Sequence, residues 1–119
     1  MNSRPLDGKV ALVTGAAGAM GRAVVRALVD DGCRVALVDI AEAAMQAQVR
    51  DLGSRVVAVA CDIADPRAVA AAHRHVVQAL GELDILVNNA GILSNNKLEA
   101  TAVDEWRRVL AANLDGAFF

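Results

Sequence analysis

The chain has 119 residues, 55% hydrophobic and 22% charged, with a formal net charge of −2. That length suits one small domain, here taken as residues 1–119, and the apolar fraction excludes a disordered chain. The mixed charges form no basic stripe, which argues against nucleic acid as a partner, and no apolar run nears the ~20 residues of a membrane-spanning helix.

Met1–Gly8 (MNSRPLDG) lacks the apolar centre of a signal peptide, so a cytoplasmic protein is expected. Val10–Val13 is too short and too β-branched for a helix and reads as a buried strand. It runs into Thr14-Gly15-Ala16-Ala17-Gly18-Ala19-Met20-Gly21. Met20, Val24 and Leu28 then recur every four residues, with Val25 and Val29 beside them, as the buried stripe of a helix. Asp31-Gly32 supplies its stop. Arg34–Val38 is a second strand ending on Asp39, followed by a helix over about Ala41–Arg50 that stops near Gly53. Val56–Ala60 is a third strand, ending in Cys61-Asp62. Asp65-Pro66 pairs a capping carboxylate with proline at the first helical position. Val69, Ala72, Val76 and Leu80 face one way along that helix, and Gly81 ends it.

Leu83–Val87 is a fourth strand running into Asn88-Asn89-Ala90-Gly91. Thr101 is read as the cap of a last helix, with Asp104 in its first turn. Val103, Trp106, Leu110, Leu114 and Ala117 mark the stripe expected to be buried. Alternating strands and helices predict an α/β fold with a doubly wound parallel sheet, strand order 3-2-1-4, between two helical layers. Cys33 and Cys61 then fall at opposite ends of neighbouring strands, beyond the ~7 Å reach of a disulfide. His73 and His75, two apart on a helix, point to different sides and form no metal pair, so no metal site is expected.

Each strand ends in polar or glycine residues, and in such a sheet ligands lie over those ends where the strand order reverses. A strand, a glycine turn and a helix make a place for a pyrophosphate, because the first N–H groups of the helix lack partners. Asp39, 18 residues beyond Gly21, fits the acid that holds an adenosine ribose. It also fits a capping box with Glu42. Asp62 suits either an adenine amino group or a turn.

These residues resemble the short-chain dehydrogenase/reductase family. Thr14–Gly21 is similar to its TGxxxGxG turn, with Ala19 where the family usually has its middle glycine. Asn88–Gly91 is similar to its NNAG motif, preceded by Asp84–Val87. Asn113-Leu114-x-Gly116-x-Phe118, with Glu105-Trp106 before it, resembles the segment carrying the active-site asparagine. The resemblance implies a Rossmann-like domain that binds NAD, with NADP disfavoured, and hydride transfer to or from an alcohol or carbonyl carbon of a small molecule. It implies cofactor contacts at Thr14, Gly15, Ala17, Gly18, Met20, Gly21, Asp39, Ile40, Asp62, Ile63, Asn89, Ala90 and Gly91, and a catalytic role for Asn113. It also implies a dimer or tetramer in the complete enzyme.

The family's chemistry needs a tyrosine, with a lysine four residues later, and a serine. This chain has no tyrosine, and its only lysines are Lys9 and Lys97. It therefore resembles the amino-terminal half, ending inside a helix, and is expected to be inactive alone. Two other readings remain at this point: a non-catalytic nucleotide-binding or regulatory module, and a methyltransferase.

Overall fold

The computed structural model describes residues 4–119, so the reading of Met1–Gly8 lies partly outside it. β1 (Val10–Thr14) is fully buried and central, because its residues are apolar on both faces. It pairs in parallel with β2 (Arg34–Asp39) on one side and β4 (Ile85–Val87) on the other. β3 (Val56–Ala60) adds outside β2, giving the order 3-2-1-4 and an α/β doubly wound sheet.

Alternate residues feed two cores. Val13, Val35 and Leu37 meet Val25 of α1 (Ala19–Asp30) and Met45 of α2 (Glu42–Leu52). Val10, Leu12 and Val38 meet Ala72, Val76 and Leu80 of α3 (Pro66–Leu80). Burying each valine or leucine side chain of this kind contributes roughly 1.5–3 kcal/mol, so the sheet's centre dominates the stability.

Local chemistry shifts several boundaries. In α1 the buried positions are Gly21, Val25 and Val29, while Met20 is 72% exposed. The stripe is thus displaced by one residue, because the helix approaches the sheet through its glycine. The capping box at Asp39 does not form: α2 starts after Ala41 with no side-chain cap, and Asp39 spends its carboxylate elsewhere. Asp65 does cap α3, accepting from Arg67 N at 3.0 Å. β4 is shorter than Leu83–Val87 because Asp84 replaces a ladder bond. Its carboxylate accepts from Val10 N at 2.9 Å, while its own N–H donates to Val10 O.

The largest departure is the last helix. α4 (Val103–Leu110) runs on through a π-helical turn, Ala111–Asp115, into a final turn, Gly116–Phe118. Thr101 does not cap it, because its hydroxyl donates to Lys97 O, and Ala102 takes the cap position. Val103, Trp106 and Leu114 are mostly exposed, so the expected stripe is uncovered among the described residues. Only Gly116 of the terminal turns is buried, because a Cβ there would stand 2.7 Å from the Ile63 side chain. The projecting helix raises the radius of gyration to 15.4 Å, against about 13.5 Å for a compact domain of this length.

Cys33 and Cys61 are both free and buried. Burial, more than Asp31 or Asp84, pushes the Cys33 thiol above its ordinary value. No helix among the described residues is long and apolar enough to cross a membrane.

Candidate cofactor and active site

The turn after β1 is locked to the end of β4. Thr14 Oγ1 accepts from Asn89 N at 3.1 Å and Ala90 N at 3.0 Å, and donates to Val87 O. Asn89 returns its amide N–H groups to Thr14 O and Gly15 O, at 3.1 and 3.2 Å. Gly15 adopts φ +65°, and a Cβ on it would lie 2.8 Å from Ala90 Cα. The missing side chain thus leaves room for the loop after β4.

Gly18 stands exposed at the cap of α1, which has no side-chain cap. The first N–H groups of the helix therefore need an acceptor from outside it. Ala17 N is already committed, donating to Asp39 Oδ2 at 3.0 Å. Ala19 and Met20 are exposed in the first turn, and Gly21 is buried against the turn behind them. Alanine in place of the usual middle glycine simply opens the helix as its first residue.

Beside the turn lies a cleft lined by Gly15, Val38, Asp39, Ile40, Cys61, Asp62, Ile63, Ala90, Gly91, Ile92 and Ala112. It unites the carboxyl ends of β1, β2 and β3 with the loop after β4. Thr14 and Asn89 stand behind it as braces, and Ala17, Gly18, Met20 and Gly21 belong to the neighbouring turn. Asp39 is half-buried at its edge, its Oδ1 accepting from Ala41 N at 3.0 Å. Both carboxylate oxygens are thus oriented by backbone, and each retains a lone pair for a further donor. Asp62 braces its own loop, accepting from Ala64 N at 2.9 Å. Val38, Cys61, Ile92 and Ala112 are lining residues that no motif announces, since only strand register and the π turn bring them in.

Asn113 sits in the π turn and pairs with one backbone unit. Its Oδ1 accepts from Ile92 N at 2.7 Å, and its Nδ2 donates to Ile92 O at 2.8 Å. This holds the residue after Asn88–Gly91 against the last helix. A second cleft opens on the other side of Asn113, between Leu93, Leu98, Trp106 and Leu110. Its rim is fastened by Glu105, which accepts from Ser94 Oγ and from Asn96 Nδ2, the latter at 2.9 Å. His73 and His75 lie exposed on α3, and neither makes a side-chain hydrogen bond with Asn113, whose amide is engaged by Ile92.

The Ser94 hydroxyl first, and then the Asn96 amide, hold the Glu105 carboxyl below its ordinary value. A folded-state pKa lowered in this way contributes stability above the unfolded value, and that contribution is lost as pH falls through the folded one. The rim is therefore expected to stay intact from pH 8 to 5 and to loosen below the ordinary glutamate range near pH 4.3. Trp106 is the single tryptophan and lines the same cleft, so its emission reports the change. Glu105→Gln should abolish the acid transition; an identical transition in that variant would place its origin elsewhere.

A family model described as short chain dehydrogenase matches residues 9–119. The chain is 42% identical over 116 residues to a D-threitol dehydrogenase of Mycolicibacterium smegmatis, covering 95% of this chain and 45% of that protein. It is 36% identical to a meso-2,3-butanediol dehydrogenase of Serratia marcescens, with the same coverage. Among solved structures it is similar to a 3-ketoacyl-(acyl-carrier-protein) reductase from Brucella melitensis complexed with NADH. That match has a TM-score of 0.91 and 34% identity, over 95% of this chain and 47% of the other. The chain thus spans about half the length of the proteins it matches.

Proposed function

Because this chain belongs to the short chain dehydrogenase family, we propose that its glycine turn and the adjoining cleft hold NAD. In this reading residues 1–119 form the dinucleotide-binding domain of an oxidoreductase acting on a small alcohol or carbonyl compound. Family membership sets the methyltransferase alternative aside. The residues present suit such a group: an uncapped helix N-terminus, a turn of small residues and a cleft flanked by two carboxylates. The nicotinamide, when bound, supplies the hydride acceptor or donor.

This chain's own residues bind and orient it. The first turn of α1 faces the pyrophosphate, Asp39 takes the ribose hydroxyls, and Asp62 with Ile63 borders the adenine. Ala90 and Gly91 line the path toward Asn113, whose amide holds the loop through Ile92. A cytoplasmic setting, in which Cys33 and Cys61 stay reduced, and assembly into a dimer or tetramer belong to the same proposal.

One observation carries the choice of NAD over NADP. Asp39 stands at the end of β2 with both oxygens already oriented, Oδ2 by Ala17 N and Oδ1 by Ala41 N. A 2′-phosphate beside it would face like charge. At ~4 Å and an effective dielectric near 20, each unit of charge costs about 4 kcal/mol before screening. The neighbouring Gly18 and Ile40 offer no cation. NADH is therefore expected to bind at least tenfold more tightly than NADPH, and Asp39→Asn to narrow the gap. Fluorescence titration of both nucleotides decides it; tighter NADPH binding would overturn the assignment.

A further inference from the structure

The face that α2 turns inward carries Met45, fully buried, and one polar residue. Gln48 is 7% exposed although its side chain ends in an amide. Burying such a group without a partner costs free energy, so its bonding decides whether it belongs there. Gln48 Nε2 donates to Ala16 O at 2.9 Å, across 32 residues of sequence. Since a carbonyl only accepts, the NH2 end of the amide must face it.

The other edge of the same peptide unit is also taken: Ala17 N donates to Asp39 Oδ2 at 3.0 Å. Ala16 N in turn donates to Val38 O at 3.3 Å. One peptide plane, in the middle of the glycine turn, is thus held from α2 on its carbonyl side and from the end of β2 on its amide side. The ring of contacts closes through α2, since Ala41 N, just before that helix, donates to Asp39 Oδ1.

We propose that Gln48 is a positioning residue for the cofactor turn, pinning the Ala16–Ala17 peptide so that Ala17 N–H keeps Asp39 oriented. The proposal rests on the cofactor reading above and adds a residue that makes no contact with the cofactor itself. An apolar side chain of the same length fills the space equally well. It leaves Ala16 O buried and unpaired, which favours rotation of the peptide and releases the Asp39 carboxylate.

Gln48→Met removes the donor and keeps the volume. Hydrogen exchange of the cofactor-free 119-residue chain, read residue by residue, is expected to show Ala17 N–H exchanging about tenfold faster. Leu12 and Val13 in β1 should be unaltered, which also reports that the variant is folded. Where Gln48→Met disturbs β1, Gln48→Leu, smaller and equally without a donor, carries the same comparison. Unchanged exchange at Ala17 in a folded variant overturns the proposal.

With NADH as probe, Gln48→Met is expected to raise Kd about tenfold in the native background and less than twofold in Asp39→Ala. Groups that act through one another are non-additive, whereas a purely structural loss adds in both backgrounds. An additive result overturns the proposal. Absence of NADH binding by the native chain would instead remove the cofactor reading, and the exchange at Ala17 then decides the role of Gln48 alone.

Discussion

Gly21→Ala is expected to lower the melting temperature by about 8 °C or more, whereas Gly18→Ser in the same turn leaves it unchanged or slightly raised. A Cβ on Gly21 would overlap the Gly15 carbonyl oxygen and stand 2.9 Å from Ala16 Cα. Both are backbone, and the turn has no room to retreat, because Gly15 is already backed against Ala90 Cα. Overpacking typically costs about 1–3 kcal/mol, and an overlap with backbone on two sides belongs at or above the upper end of that range. Alanine's better helix propensity returns about 1 kcal/mol, which does not offset a backbone overlap.

Gly18 differs. Its φ of −76° suits any residue, its nearest neighbour for a Cβ is Gly15 O at 3.5 Å, and serine is a preferred helix cap. Thermal melts followed by circular dichroism separate the two. A Gly21→Ala variant that melts within 2 °C of the native chain would show that α1 does not depend on this close approach.

Sequence pattern reveals the sheet better than the helices that cover it. Four apolar runs, each ending in glycine or a polar residue, mark the strands, because Val13 on one face of the sheet and Leu12 on the other are both buried. Helix stripes are harder to read. Counting apolar side chains selects Met20 and misses Gly21, since the surface that packs is a missing side chain. At the other end, the Val103–Ala117 stripe is real as a pattern but lies uncovered among the described residues. Periodicity states which face is apolar, not whether anything meets it.

Polar residues with several available partners are the least legible. Thr101 has the chemistry of a cap but donates to Lys97 O. Asp84 falls within the run read as the fourth strand, yet it meets Val10 through its carboxylate as well as its own N–H. The glycine turn and Asp39 are marked by their spacing, whereas Val38, Cys61, Ile92 and Ala112 enter the cleft only through register and the π turn. Gln48 is invisible to every pattern, because a buried glutamine looks like any solvated one until its partner is seen.

The 119-residue chain by itself is expected not to oxidise alcohols or reduce ketones at a measurable rate. The reason is proton management. Hydride leaves a carbinol carbon only as its oxygen gives up a proton, so a group must hold that oxygen and exchange a proton near neutral pH. General acid–base help of this kind contributes typically ~10²–10⁴-fold. A tyrosine, ordinarily near pKa 10, serves only when a neighbouring cation favours its phenolate.

This chain has no tyrosine, Lys9 precedes β1, and Lys97 borders the loop before α4. His73 and His75 lie exposed on α3. Asn113, the proposed catalytic asparagine, has its carbonyl and amide both engaged by Ile92, and an amide does not titrate in this range. It orders a loop; it cannot replace an acid. The expected outcome is NADH binding without turnover, followed by absorbance against a panel of secondary alcohols and ketones. Sustained turnover that disappears on Asn113→Ala would show that a site without tyrosine can manage the proton, and would overturn this expectation.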